Sequence, residues 1–353
     1  DINGPVIIMT ATLTEGLREG IRQALPSVKF LRLGERDEVD GDTIYIHDDG
    51  FEDSMSKTKY MVGRINMSEV VDRTVGLVRN GRKVLIVVNK IPTIVGIYRQ
   101  LVSRGVRAGL IHGRLTRSDR SRVMKMLGEL DVLIGTSAIE AGVDASFNAL
   151  ITVPDDPAGL VQRVGRVCRY GDCTGELYLV CDDEYRAIGK LCEYTLSHNI
   201  QWRLPYDVGG GVSYVKLLEE FDIGLGGVDG SSLDYLRRPY VRQDFLNLFL
   251  KQEGYSLVRE PLVEVYVRGL DEFKNAREGD IILDSYTLGA SEAKEVIKCV
   301  EGIGFINEDG KPVVTDFDTG RFASDPIGAY TVFAGRYKAT PVLIIKPKCY
   351  EGG

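Results

Sequence analysis

Val84-Leu85-Ile86-Val87-Val88-Asn89 is an unbroken apolar run closed by a polar residue, and its reading decides the fold. A strand with one wet face alternates, whereas five consecutive apolar residues of this branched type read as a strand covered on both faces. The stretch that follows, Pro92 to Arg104, places Ile94, Ile97, Tyr98 and Leu101 on one helical face. Working outward, Gly109-Leu110-Ile111, Val132-Leu133-Ile134, Leu150-Ile151-Thr152-Val153 and Leu177-Tyr178-Leu179-Val180 repeat the strand signal, and Ser118 to Leu127 reads as a further helix. From residue 43 to about 200 short apolar runs thus alternate with amphipathic stretches, the pattern of βαβ units around a parallel sheet. Five strands and four crossovers predict an α/β, open, doubly wound sheet, with ligands outside the carboxyl ends of its strands.

The chain of 353 residues exceeds one comfortable core, so a second domain is expected. A hydrophobic fraction of 44% with 27% charged residues excludes a disordered or collagenous chain. No apolar run reaches the roughly 20 residues of a membrane span, and the N-terminal residues lack signal-peptide features; a cytoplasmic address and no membrane partner are the expectation. The chain starts at Asp1 and enters Val6-Ile7-Ile8-Met9 within a few residues, as a fragment or processed product would. Past residue 204 the character changes: glycines cluster at 209–211 and 224–230, Tyr240 to Gln252 and Ala290 to Val300 look helical, and Leu262 to Val267 and Pro341 to Pro347 look like strands. This predicts an α+β accessory domain over 205–353. The six cysteines form no C-x-x-C pair and the chain has three histidines, so free thiols in a reducing compartment are expected and no metal site, disulfide-using hyperthermophiles being the exception.

The chemistry concentrates in Gln162-Arg163-Val164-Gly165-Arg166-Val167-Cys168-Arg169, which opens the crossover after the strand ending at Val153. Arg166 and Arg169 stand three apart, so on a helix they share a face and can converge on one anion. Guanidinium forks suit a transferring phosphoryl group, whose developing charge must be held with little reorganisation. A solvated basic helix is the competing reading of the bare R-x-x-R.

That run resembles motif VI, Q-x-x-G-R-x-x-R, of superfamily 2 helicases. Other elements resemble the same family in order: Thr10-Ala11-Thr12 its motif III, Ile86 to Asn89 its motif IV, His112-Gly113-Arg114 with Arg120 its H-G…R element, and Thr136 to Asp144 its motif V. The resemblance implies a RecA-like second helicase lobe and assigns roles. Arg166 and Arg169 would contact the γ-phosphate of ATP, Arg169 as the arginine finger, with Gln162 orienting them. Asp144 would face the ribose, and Gly142 and Gly165 would let backbone approach the nucleotide. Asn89, His112, Gly113, Arg114, Arg120 and Thr136 would contact nucleic acid, and Thr10 and Thr12 would couple the nucleotide to strand movement. For Thr12 the competing role is N-cap of a helix beginning near Glu15. Among superfamily 2 members, the strand-end Asn89, the segment Leu110 to Arg120 and Leu160 to Arg169 look most like the helicase part of the CRISPR-associated helicase-nuclease of type I systems. Glu140-Ala141-Gly142 departs from that family, where Gln often precedes the motif V glycine.

Net charge is −7, which taken alone disfavours a nucleic-acid partner. Between Arg99 and Lys125, however, eight cations face Asp119 alone, a stripe of about +7 where the resemblance expects a phosphate backbone. No G-x-x-x-x-G-K-[ST] occurs in the 353 residues. Asp37-Glu38-Val39-Asp40 imitates an acidic D-E-x-D box, yet it follows motif III and has no apolar strand before it. Cys181-Asp182-Asp183-Glu184 reads as the acidic N-terminus of a helix. The expectation is therefore residues 1–40 as the tail of helicase lobe 1, 41–200 as RecA-like lobe 2 and 205–353 as the accessory domain. The P-loop and the Mg²⁺ ligands would lie on another lobe, so that the chain alone is inactive. The whole would be an ATP-dependent DNA helicase acting on single-stranded DNA in CRISPR interference, with a surveillance complex and a fused or separate HD nuclease as partners. A superfamily 2 RNA or DNA-repair helicase, and a non-hydrolysing nucleic-acid binding or interaction subunit, are the alternatives.

Overall fold

The computed structural model describes residues 7–10, 12–140, 142–171, 173–182, 189–221, 262–350 and 352. The chain forms two compact units, Asp1–Leu110 with Met126–Val228, and Ile111–Lys125 with Asp229–Gly353. The helix expected over Tyr240 to Gln252 and the glycine cluster at 224–230 lie outside the described residues.

The first unit opens with helix α1 (Glu15–Ala24), capped by Thr14, whose Oγ1 accepts the Leu17 N–H. The cap is therefore Thr14 and not Thr12. A small sheet follows from β1 (Phe30–Leu33), β2 (Glu38–Asp40) and β3 (Thr43–Ile46), with β3 parallel to β1 and antiparallel to β2. Because β3 completes this sheet, the boundary expected between residues 40 and 41 falls inside it, in the β2–β3 turn. Helix α2 (Asp49–Ser56) leads to β4 (Lys59–Ile65), α3 (Val70–Arg79), β5 (Val84–Val87), α4 (Ile91–Ser103) and β6 (Ala108–Ile111). After α5 (Arg117–Met126) come β7 (Val132–Gly135), β8 (Ala149–Thr152), α6 (Pro157–Val164), β9 (Thr174–Val180) and α7 (Gly189–Ser197).

The large sheet has six strands in the order β4-β9-β8-β5-β7-β6, and its registered pairs are parallel. All four residues of β5, β7 and β8 are buried, which is why each reads as a continuous apolar run. Ile86, Ile134 and Ile151 join Ile94, Ile97 and Leu101 of α4 in one core. The five expected strands are present, and β4 is a sixth. After β5 the chain turns towards the β7–β6 side, and after β8 towards β9. The loops leaving β5 and β8 therefore diverge at a topological switch point, where open α/β sheets place their ligands.

Beyond α7, β10 (Ile200–Gln201) pairs with β11 (Val212–Ser213), and α8 (Tyr214–Glu220) packs against α6. That packing, with Trp202 and Leu204 buried, keeps residues 205–221 with the first unit, so the accessory domain does not begin at 205.

In the second unit β12 (Leu262–Tyr266), β13 (Ser285–Gly289), β14 (Val300–Ile306), β15 (Pro312–Thr315) and β16 (Val342–Ile345) form a mixed sheet in the order β13-β12-β16-β14-β15. The helix expected over Ala290 to Val300 is present up to Cys299, as a short α-helix, Ala293–Val296, between 3-10 turns at Ala290–Glu292 and Ile297–Cys299, and Val300 begins β14, drawn into extended pairing with β16.

Free thiols were expected; all six cysteines are paired, as Cys168–Cys173, Cys181–Cys192 and Cys299–Cys349. Sequence separations of 5, 11 and 50 follow no redox or metal motif, so only the fold brings the partners together.

Candidate functional site

At the switch point the carboxyl-end loops are joined by one buried arginine. Arg163, on α6, is only 2% exposed. Its Nε donates to Glu140 at 2.7 Å, and its Nη1 donates to Asp155 at 2.8 Å, the Val153 carbonyl at 2.9 Å and Thr152 Oγ1 at 3.1 Å. A guanidinium this deep is tolerable only with its charge and N–H groups satisfied. Room for the Arg163–Glu140 pair comes from Gly159, where a Cβ would stand 3.2 Å from both side chains. The network reaches the β5 end, since Asn89 Nδ2 donates to Asp155 and Asn89 Oδ1 accepts the Ser137 N–H at 2.8 Å. Asn89, expected to touch nucleic acid, thus ties the loop after β5 to those after β7 and β8. Thr136 caps the turn Ser137–Ile139, its Oγ1 accepting the Ala138 N–H at 3.4 Å.

Asp156 caps α6 by accepting the Gly159 N–H, and Pro157 occupies the first turn, where no N–H is needed. The helix stops at Val164, one turn earlier than a shared face for Arg166 and Arg169 requires. Gly165 is the C-cap, and Val167 bridges to Phe147 as an isolated parallel pair. Cys168 then takes a left-handed conformation, φ 49°. The two arginines still influence one another: Arg169 Nε lies 3.1 Å from Asp144, and the charges of Asp144 and Arg169 both act on Arg166. Burial first, and then the neighbouring Arg169, push the Arg166 guanidinium below its ordinary range. Arg166 also donates to the Glu140 carbonyl. A desolvated guanidinium beside a second one is a site that an anion would relieve.

Arg203, absent from the sequence reading, is the third cation here. Its Nη2 donates to the Val167 carbonyl at 2.7 Å, its Nε to Tyr60 Oη at 3.0 Å, and its charge also lowers Arg166. A lone arginine 34 positions beyond Arg169 carries no motif that could have announced it. Gln162 and Asp144 are exposed, and Gly142 has φ 80°, which explains a glycine there. Thr10 Oγ1 accepts the Thr12 N–H at 3.1 Å, an exposed local turn. Asp182, read as part of a helix N-terminus, accepts the Met67 N–H at 2.6 Å and so holds the end of β9 to the chain following β4; residues 183–188 lie outside the described residues. Among the described residues no group of three His, Cys, Asp or Glu side chains could hold a metal ion.

The H-G-R element and α5 belong to the second unit. His112 is 1% exposed and its Nδ1 accepts the Arg114 N–H at 3.2 Å, a local structural contact. Arg114 pairs with Glu295, and Arg117 stands 3.7 Å from Glu264. Tyr350 Oη donates to Asp119 at 2.6 Å and accepts the Thr116 N–H at 2.8 Å. Burial and the Asp119 carboxylate raise the Tyr350 phenol above its ordinary range. Arg120 lies on α5, half-buried, and Gly113 is exposed with open space around its Cα. The basic stripe is thus partly neutralised: Arg104, Arg107, Arg114, Arg117 and Arg122 face Asp72, Asp131, Glu295, Glu264 and Asp119.

A doubly wound parallel sheet whose carboxyl-end loops carry these elements in this order is similar to the C-terminal, RecA-like lobe of superfamily 2 helicases. Residues 80–172 match the family model described as CRISPR-associated nuclease/helicase Cas3, C-terminal. CRISPR-associated helicase Cas3 of Thermoproteus tenax is 32% identical over 122 residues, 31% of this chain and 21% of the relative. UvrABC system protein B of Pseudothermotoga lettingae is 24% identical over 63% of this chain and 34% of the relative. The ATP-dependent RNA helicase DBP5 of Saccharomyces cerevisiae is 25% identical over 47% and 34%. The chain therefore spans about a third or less of the length of these relatives. Among solved structures, T. fusca Cas3 aligns over 82% of this chain and 39% of its own, at 14% identity and TM-score 0.43. The Thermoproteus tenax and Saccharomyces cerevisiae relatives are named as helicases, and among the described residues no helix is long and apolar enough to cross a membrane.

Proposed function

We propose that the chain is the C-terminal part of an ATP-dependent DNA helicase or translocase of CRISPR interference, supplying the arginine finger and nucleic-acid contacts. The observation that carries the reading is the pairing of Arg169 with Asp144 at 3.1 Å beside a partly buried Arg166, whose guanidinium burial and the Arg169 charge push down, shortly after the helix that opens the motif VI pattern. Arg166 and Arg169 would bind the γ-phosphate of ATP and hold the charge that develops on it, Arg169 exchanging its exposed Asp144 partner for phosphate oxygens. Gln162 would orient that pair, Gly142 and Gly165 would line the nucleotide, and Asp144 would face its ribose. ATP, bound with Mg²⁺, supplies the phosphoryl group, and a lobe bearing the P-loop would furnish the metal ligands; without that lobe the chain is inactive. Closure and opening of the lobes would move single-stranded DNA past Thr136 and the H-G…R element, with Thr10 and Thr12 as couplers. A CRISPR surveillance complex and an HD nuclease are the partners this reading implies.

The test is Arg169→Ala in the protein joined to its P-loop lobe. ATP turnover should fall about 10³-fold or more, with single-stranded DNA affinity largely kept; turnover within about tenfold of wild type would overturn the arginine-finger role. An RNA helicase is the second reading, because several matched relatives are named ATP-dependent RNA helicases. Stimulation of the ATPase by single-stranded RNA and not DNA would select it.

A further inference from the structure

We propose that the Cys168–Cys173 disulfide positions Arg169 for phosphoryl transfer. The proposal rests on the reading of Arg166 and Arg169 as ligands of the γ-phosphate. Nothing helical holds Arg169, because α6 ends at Val164. It lies instead between a left-handed Cys168, φ 49°, and an exposed Tyr170, with its own side chain 35% exposed.

Left-handed geometry is rare for L side chains, so the surroundings must enforce it. Two backbone bonds do so in part: the Cys168 N–H donates to the Phe147 carbonyl at 2.9 Å, and the Gly171 N–H to the Cys168 carbonyl at 2.9 Å. The Arg169 N–H donates to Ser146 Oγ at 3.0 Å. The covalent link closes the loop. Cys168 is 3% exposed, its Cα is 5.8 Å from that of Cys173, and Cys173 immediately precedes β9 and accepts the Lys59 N–H at 3.1 Å. The segment bearing Arg169 is thereby stapled to the large parallel sheet, while Arg203 and Tyr60 hold the preceding Val167 carbonyl. A guanidinium that acts in the transition state gains from such fixing, since orientation settled beforehand need not be found during the reaction.

Reduction by a dithiol such as dithiothreitol breaks the S–S bond, delivering two electrons and two protons to give two thiols while the reductant closes to its cyclic disulfide. Arg169 then keeps its charge and loses its fixed bearing. The readout is a split between kcat and KM in the full-length protein. Reduction should lower kcat about tenfold or more with KM for ATP within about twofold, circular dichroism unchanged. Cys168→Ala/Cys173→Ala should show the lowered kcat without reductant and no further response to it. Cys299→Ala/Cys349→Ala should remain as active and as reductant-sensitive as wild type. Peptide mapping without reduction should recover Cys168 linked to Cys173 from the native protein. If Arg169→Ala abolishes turnover while neither reduction nor the folded double variant changes kcat, or if mapping finds both thiols free, this proposal fails. If Arg169→Ala is itself silent, the functional reading fails first.

Discussion

Arg163 offers the sharpest test of how the site is held. In Arg163→Met the side chain keeps most of its bulk but gives up four acceptors, two of them carboxylates that stay half-buried: Glu140 is 19% exposed and Asp155 23%. Removing one partner of a buried ion pair costs about 3–5 kcal/mol, chiefly through the charge left behind. Water can reach both acids, which places the loss near the lower end, about 3 kcal/mol. That is a large share of the roughly 5–15 kcal/mol holding a domain together. Trp202, the single tryptophan and 3% exposed within the first unit, reports its unfolding by fluorescence in urea. With m near 2–3 kcal/mol/M the midpoint should fall by about 1–1.5 M. Adding Glu140→Gln and Asp155→Asn should restore part of the loss, because the uncompensated charges are gone. A midpoint within about 0.3 M of wild type would refute the reasoning, and so would a triple variant no more stable than the single one.

Two further outcomes follow from the geometry. Gly171 has φ 82° and an added Cβ would stand 2.5 Å from Ser54 Oγ, so Gly171→Ala should cost about 1–3 kcal/mol in the same urea titration; Gly113→Ala, with open space around it, should stay within about 0.5 kcal/mol, and equal losses at both positions would contradict the packing. His47 is raised above its ordinary value by its bond to the Gly34 carbonyl and then by Asp49. A raised folded-state pKa means that its contribution is complete below the unfolded value, about 6.5, and is lost as pH climbs through the folded one. An NMR titration should place the His47 midpoint above that of the urea-unfolded chain, and a midpoint at or below it would remove the effect.

The central strands were legible because burial on both faces demands uninterrupted apolar residues. β4 escaped because among the described residues it lies at the sheet edge and pairs only with β9, and it mixes Lys59, Gly63 and Arg64 among its apolar residues, with Met61 57% exposed. The arginine pair was misread in its local geometry: a spacing of three implied a helical face, whereas the Gly165 cap and the Phe147–Val167 bridge end the helix first. Arg163 stood inside the quoted run without distinction. Its partners Glu140 and Asp155 lie 23 and 8 residues away and reach it only through the switch-point loops.

Charge and sulfur show most plainly which decisions belong to tertiary structure. Sequence alone determined the sheet class, the strand order along the chain and the ordered helicase-like elements, since these depend on local periodicity and short spacing. It also counted the cations of residues 99–125 correctly, but counting sees neighbours in the chain and not in space. Folding set Arg114 against Glu295, Arg117 near Glu264, and each cysteine beside its partner. Coulomb attraction and disulfide bonding act over a few ångströms, and which residues come within that range is decided by the packed chain.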